Sequence, residues 1–455
     1  MPGTNLANRT IRDLLGALES GATTSEELLC GALARIQDPR GEGERAFVRV
    51  YRDQALAQAR SVDAARRAGE SVGPLAGIPL SIKDLFDVQG EATLAGSRAL
   101  IGAAPATRDA EIVRRLRSAG AILVGKTNMT EFAYSATGIN GHCGTPRNPF
   151  DRAAGRIPGG SSSGAAVSVT DGMAVAAIGT DTGGSVRIPA AFCGIVGFKP
   201  TAFRIPRDGC VPLSTTLDSI GPLANSVDCC ARVDSVLAGD RYLAPEPPDL
   251  KSLRIGFVTD YVLDGLELPV AHAMERARSL IERGGVRVAD APFPELSEIV
   301  GLNRTGGFAG FEAWQWHQDL IGRNCQAYDQ RVLAAIEKHK GMTEREYREL
   351  IVERQRIISR AALRFASFDA LAWPVTPLVA PPIGALIADD KLFRRVNALA
   401  MRNTNVTNFL DGCAISLPCH EPSTLPVGIM LSLRHGEDRR LINIAASLEP
   451  LLVPT

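Results

Sequence analysis

Three side chains stand apart in this sequence for the chemistry their surroundings would impose: Lys83, Ser161 and Ser185. Lys83 lies in GIPLSIKDLFD (77–87), a stretch without charge until the acidic groups that follow the lysine. An ammonium group taken out of water loses solvation, so burial lowers its pKa. At the unperturbed pKa of about 10.4, on the order of one lysine in two thousand is neutral at pH 7. A large enough fall makes the amine a usable base. The segment also fits a surface lysine paired with Asp84 or Asp87.

The two serines sit in Gly/Ser loops inside residues 157–201, where Gly, Ser and Ala dominate and charge nearly vanishes. A flexible linker has such a composition, but apolar, sheet-forming sequence surrounds both loops. Tight loops within a core bring backbone close to a ligand. A phosphate loop does not fit, because Gly159–Gly164 is not followed by Lys-Ser/Thr. Nor is Gly183-Gly184-Ser185 part of a spaced dinucleotide fingerprint. Residues 160–164 (GSSSG) match the nucleophile elbow G-x-S-x-G, a cheap match in a Gly/Ser run. None of the six histidines (142, 272, 317, 339, 420 and 435) follows a strand-end motif of that fold. His142 beside Cys143 and His420 after Cys419 lack metal-site spacing, so neither a metal nor another cofactor is expected.

The elements that would position these groups read as α/β layers. Residues 11–18 carry an apolar helical face behind Thr10 and Asp13, and Thr24 with Glu27 caps a second helix ending near Ile36. AFVRVY (46–51) alternates like a strand, and 52–68 is helical. Residues 77–88 are extended, 107–119 helical and 121–124 a buried strand. A small-residue helix and an apolar strand fill 165–178. After a Pro-rich connector (240–252) come a strand (253–258), a helix (269–284) and one long, polar helical stretch (312–363). Residues 374–384 and 406–432 return to sheet-like patterning. Helix, buried strand, helix in repetition predicts a largely buried sheet.

The 455 residues carry 50 Lys and Arg against 50 Asp and Glu, which argues against nucleic acid as a partner. The best spanning candidate, 370–388, holds Pro374, Pro377, Pro381 and Pro382 and would be broken repeatedly. The opening MPGTNLANRTIRDLL has no long apolar run, so no secretory leader and no membrane partner are expected. Nine cysteines without regular spacing read as small buried hydrophobes in a reducing cytoplasm.

GGSSSG (159–164) followed by GTDTGGSVRIPAAFCGIVGFKPT (179–201) resembles the amidase signature family, with Ser161 and Ser185 24 residues apart as in that pattern. GIPLSIKD, ILVGKTNMTEFA (122–133), LDSIGPLANSVDC (217–229) and LPVGIML (425–431) resemble further blocks in order, from about residue 10 to 450. The resemblance implies one α/β/α domain over 1–455 around a large twisted mixed sheet, with a core at about 70–235 and the helical layer beyond it. It also implies a Ser–cis-Ser–Lys triad: Ser185 the nucleophile, Ser161 the bridge after a cis Gly160–Ser161 peptide, and Lys83 the base. Thr182, Gly183, Gly184 and Ser185 would form the oxyanion hole, with Asp181 holding the turn. Ser162 and Ser163 would orient the serine loop by hydrogen bonds. Met129, Phe132 and Tyr134 would line an acyl pocket, although as core packing they need no ligand. Arg187 would bind a substrate carboxylate or serve as a buried scaffold, and Arg204 would reach the site mouth. Met430 stands where many members have Gln, and Ser163 replaces a Gly. The implied activity is hydrolysis of the C–N bond of small or aryl amides, and by the same chemistry carbamates or urethanes, by a monomer or homodimer. The alternative is the glutamine-handling component of a tRNA-dependent glutamyl/aspartyl amidotransferase, a module that depends on partner proteins.

Overall fold

The computed structural model describes residues 5–303 and 307–452; the first four residues of the stretch read for a leader lie outside them. Eleven strands form one sheet: β1 (Phe47–Val50), β2 (Pro79–Lys83), β3 (Ile122–Thr127), β4 (Ala176–Asp181), β5 (Val196–Lys199), β6 (Ser219–Ala224), β7 (Arg254–Val258), β8 (Arg287–Ala291), β9 (Ala370–Pro374), β10 (Cys413–Pro418) and β11 (Gly428–Leu433). Their spatial order is 1-3-2-4-6-5-10-11-9-7-8. β2 runs parallel to β3 and β4, β7 runs parallel to β8 and β9, and the remaining pairs are antiparallel. The expected mixed sheet with flanking helices is what the chain forms.

Both N-terminal caps behave as the sequence predicts. The Thr10 hydroxyl accepts from Asp13 N–H ahead of helix Ile11–Glu19, and Thr24 with Glu27 closes a reciprocal box on helix Ser25–Gln37. Central strands are buried on both faces, which is why they read as apolar runs. Alternate residues feed different cores: Leu80, Ile82 and Ile178 pack in one, and Ala177 with Leu223 in another beneath helix Ser163–Thr170. Ser81 joins that helix through Ser168 (Oγ to Oγ 2.9 Å). Lys83, two residues on, stands on the same strand face.

Four expectations are refined or corrected. The polar stretch 312–363 is helical as expected, but divided among three helices, Gly307–Asn324, Gln330–Glu337 and Glu344–Phe365, restarted by the caps Asp329 and Thr343. Residues 374–384 are not a strand, because β9 stops at Pro374, the first of the prolines that cannot feed a ladder. Val406 lies in a short helix, Thr404–Phe409, and only the later part of 406–432 is sheet. All nine cysteines are free, and Cys30, Cys143 and Cys325 are exposed rather than buried. Among the described residues no helix is long and apolar enough to cross a membrane.

Two glycines test this packing in opposite directions. A Cβ at Gly164 would stand 2.2 Å from the Ala46 carbonyl oxygen and 2.7 Å from Asn128 N, whereas one at the exposed Gly16 meets nothing within 4 Å. Gly16→Ala is expected to raise the melting temperature, through a gain of up to about 1 kcal/mol in helix propensity. Gly164→Ala is expected to lower it, by the roughly 1–3 kcal/mol typical of overpacking. Calorimetric melting of the two variants checks both signs.

Candidate active site

β2 and β4 are parallel neighbours, so their carboxyl ends open on one edge of the sheet, where open α/β sheets bind ligands. Lys83 ends β2 and is fully buried. Its Nζ lies 2.7 Å from Ser161 Oγ and 2.9 Å from Thr180 Oγ1. The surface pairing with Asp84 or Asp87 does not occur: Asp84 sits 3.7 Å from Lys126, and Asp87 accepts from Thr93. Burial lowers the Lys83 pKa to about 7, against the weaker opposing pull of Cys210, Asp218 and Asp181. As an ammonium, Lys83 donates to both hydroxyls. As a neutral amine its lone pair accepts the Ser161 O–H, while an N–H still donates to Thr180. Thr180 was missed in the sequence, though a hydroxyl ending the apolar run AAIGTD was a visible signal.

The Gly160–Ser161 peptide is cis. The loop is held by its backbone: Gly160 N–H donates to Ala136 O (2.7 Å), and Thr130 N–H donates to Ser161 O (3.0 Å). Ser162 N–H donates to Ser185 O (3.3 Å), tying the two Gly/Ser loops together. The Ser162 and Ser163 hydroxyls donate to Thr180 O and Asn128 O. Lys83 and Ser161 are sealed, whereas Ser185 keeps 8% of its surface open. Among the described residues no hydrogen bond joins the Ser161 and Ser185 hydroxyls; such contacts commonly tighten only when a ligand fills the site.

Asp181 organises the turn after β4. Its Oδ1 accepts from Gly184 N–H (2.8 Å) and its Oδ2 from Val186 N–H (3.2 Å). This corrects the expected role of Gly184, whose N–H is spent within the protein. The N–H groups of Thr182, Gly183 and Ser185 find no acceptor among the described residues. Gly184 has φ +128°, and a Cβ there would lie 2.2 Å from Thr404 Oγ1. That hydroxyl donates to Gly183 O (2.6 Å). Thr182 Oγ1 donates to Asp218 (2.5 Å), which also accepts from the N–H groups of Leu213 and Ser214. Glu312, from the helical layer, in turn accepts from the hydroxyls of Ser214, Thr216 and Tyr347.

Of its two expected roles, Arg187 takes the scaffold one. It is fully buried, forks onto Asp181 (3.0 and 2.8 Å), and donates to Thr404 O, Asn408 Oδ1 and Met430 Sδ. No part of its fork is left for a substrate carboxylate. Burial alone would raise the Asp181 pKa, but Arg187, with Lys199 behind it, holds the carboxyl well below its ordinary value. Met430 therefore supplies an acceptor through its sulfur.

Arg204 does not reach the site, because Asp234 and Asp240 take its guanidinium (2.9 and 2.8 Å). Met129 and Phe132 are buried in the main core, Phe132 packing on His317 and Tyr328, while Tyr134 lines a cavity. His142 pairs with Glu131 (2.9 Å) and His420 packs edge-on against Phe150. Among the described residues no group of three or more His, Cys, Asp or Glu side chains could hold a metal ion.

A family model described as Amidase matches residues 32–442. The chain is 35% identical over 402 residues to the 2-amino-5-chloromuconic acid deaminase of Comamonas testosteroni, covering 88% of this chain and 87% of the relative. It is 34% identical over 488 residues to a component of the glutamyl-tRNA(Gln) amidotransferase of Acidothermus cellulolyticus, covering 98% and 94%. A solved structure described as an amidase superposes with a TM-score of 0.87 at 32% identity, over 98% of this chain and 100% of that one.

The buried ion pair under the turn carries a stability prediction. Arg187→Met leaves Asp181 buried without its cation, a change that typically costs about 3–5 kcal/mol. The additional Asp181→Asn change should recover part of that loss. Thermal unfolding of wild type, single and double variants measures the coupling.

Proposed function

The chain belongs to the amidase family, hydrolases of carbon–nitrogen bonds, and we propose that it cleaves small or aryl amides through an acyl-enzyme on Ser185. One observation carries this reading: a buried amine with pKa about 7 lies 2.7 Å from a serine hydroxyl, beside a turn with unpaired N–H groups. Ser185 Oγ attacks the carbonyl carbon as its proton passes to Ser161, whose own proton passes to Lys83. The N–H groups of Gly183 and Ser185, with Thr182 beside them, receive the developing oxyanion; losing one such donor typically costs about 10²–10³ in rate. The C–N bond then breaks while Lys83, now an ammonium, returns a proton through Ser161 to the leaving nitrogen. Without that proton an amide anion would have to leave, which is very unfavourable. Water attacks the acyl-enzyme through the same relay and releases the acid. A carbamate presents the same carbonyl between O and N, so the machinery extends to urethanes.

A second reading is favoured by the relative that is a component of a glutamyl-tRNA(Gln) amidotransferase. On it, the same relay would release ammonia from glutamine for use by a partner protein. Assays of the purified chain on aryl amides, carbamates and glutamine separate the two.

Ser185→Ala and Lys83→Ala are expected to abolish turnover while leaving circular dichroism unchanged; wild-type rates in either variant overturn the relay. The base is competent only when neutral, so kcat/KM should rise about tenfold per pH unit below about 7 and level off above it. A flat profile from pH 6 to 10 would remove Lys83 as the base.

A further inference from the structure

A cavity of about 540 Å³ opens beside the serine loop, between residues 130–139 and the helices Gln330–Glu337 and Asp390–Arg402. That volume suits a small organic ligand. Thr130 contributes to its wall while its N–H holds the Ser161 carbonyl (3.0 Å). Its hydroxyl is buried and has no hydrogen-bond partner among the described residues, 2.8 Å from where a Cβ on Gly160 would stand. The cavity therefore adjoins the peptide that carries Ser161.

The charge in the wall is unevenly satisfied. Glu131 already accepts from Ser97, His142 and the N–H of Asp329. Asp329 caps its own helix through the N–H groups of Arg331 and Val332. Asp390 is paired with Arg331 (2.7 Å), which also lies over the Phe393 ring. Every lining carboxylate thus has donors from the protein. Lys338 and Arg394, both exposed on this cavity, form no ion pair among the described residues. The Asn397 side-chain oxygen accepts from Ser135 and from Ala136 N–H, and its NH₂ has no hydrogen bond among the described residues. The free groups are cations and N–H donors, and the ligand that complements them carries an anionic acceptor.

We propose that this cavity selects amides bearing a carboxylate remote from the scissile bond, held by Lys338 and Arg394 with help from Asn397. The proposal rests on the hydrolytic reading above and narrows it to monoamides of dicarboxylic acids or amides of similar charge. The apolar faces of Tyr134 and Phe393 would flank the connecting chain, and Thr130 would offer its spare hydroxyl near the reacting end.

The test compares hexanamide with the monoamide of hexanedioic acid, equal in chain length and different in terminal charge. Wild type should prefer the acid monoamide by about tenfold in kcat/KM, the upper scale of two exposed charge contacts acting together, chiefly through KM. Raised salt should shrink the preference. In the double variant Lys338→Gln, Arg394→Gln the ratio should approach one. Calorimetric titration of both amides into Ser185→Ala gives the same comparison without turnover. Equal kcat/KM with equal affinity, tighter binding of hexanamide, or no binding of either amide would overturn the proposal. A retained binding preference with no hydrolysis of either amide would overturn the hydrolytic reading alone.

Discussion

An amine kept out of water, with no carboxylate paired to it among the described residues, is the constraint around which this structure is arranged. Lys83 is sealed inside a sheet, and among the described residues its amine hydrogen-bonds only to hydroxyls, those of Ser161 and Thr180. A carboxylate in contact would hold the ammonium form and forfeit basicity, whereas an unbonded buried amine would lose solvation with nothing in exchange. Two hydroxyls satisfy the nitrogen in either protonation state. Placing it at the carboxyl end of a central strand lets a rigid ladder, rather than a mobile loop, fix its position.

The acidic group that the site does need is kept one step away. Asp181 spends its oxygens on turn N–H groups and on Arg187, so its charge shapes backbone rather than pairing with Lys83. Arg187 reaches on to the helix Thr404–Phe409 and to Met430 in β11. The turn is thus held from below by an ion pair and from the side by Thr404. Fully buried pairs repay their desolvation only with good geometry and further hydrogen bonds, and this one has both.

Much of this was legible in the sequence, because local rules and burial pointed the same way. The N-cap at Thr10, the capping box at Thr24, the apolar central strands and the two Gly/Ser loops all leave short-range patterns. The Arg187 fork was open in the sequence because its partners are distant: nothing near it discloses that it is filled from residues 404–430. The commitment of the Gly184 N–H is local, to Asp181 three residues earlier, and follows from the turn that Asp181 was expected to hold. The helix Thr404–Phe409 resembled strand because Val and Thr have β-branched side chains, while its place was set by contacts with the turn. The polar run 312–363 carried a helical period, and its interruptions at the caps Asp329 and Thr343 leave local signals that were passed over.

The span of the Arg187 contacts also bears on how the chain is made. Its partners Thr404, Asn408 and Met430 lie 217, 221 and 243 residues downstream. A ribosome releases sequence from the amino end at about 5–20 residues per second, so the cradle for this guanidinium is finished only after residue 430 has emerged. A nascent chain bearing both serine loops still lacks the supports of the turn after β4, which couples competence of the cleft to synthesis of the strand β11.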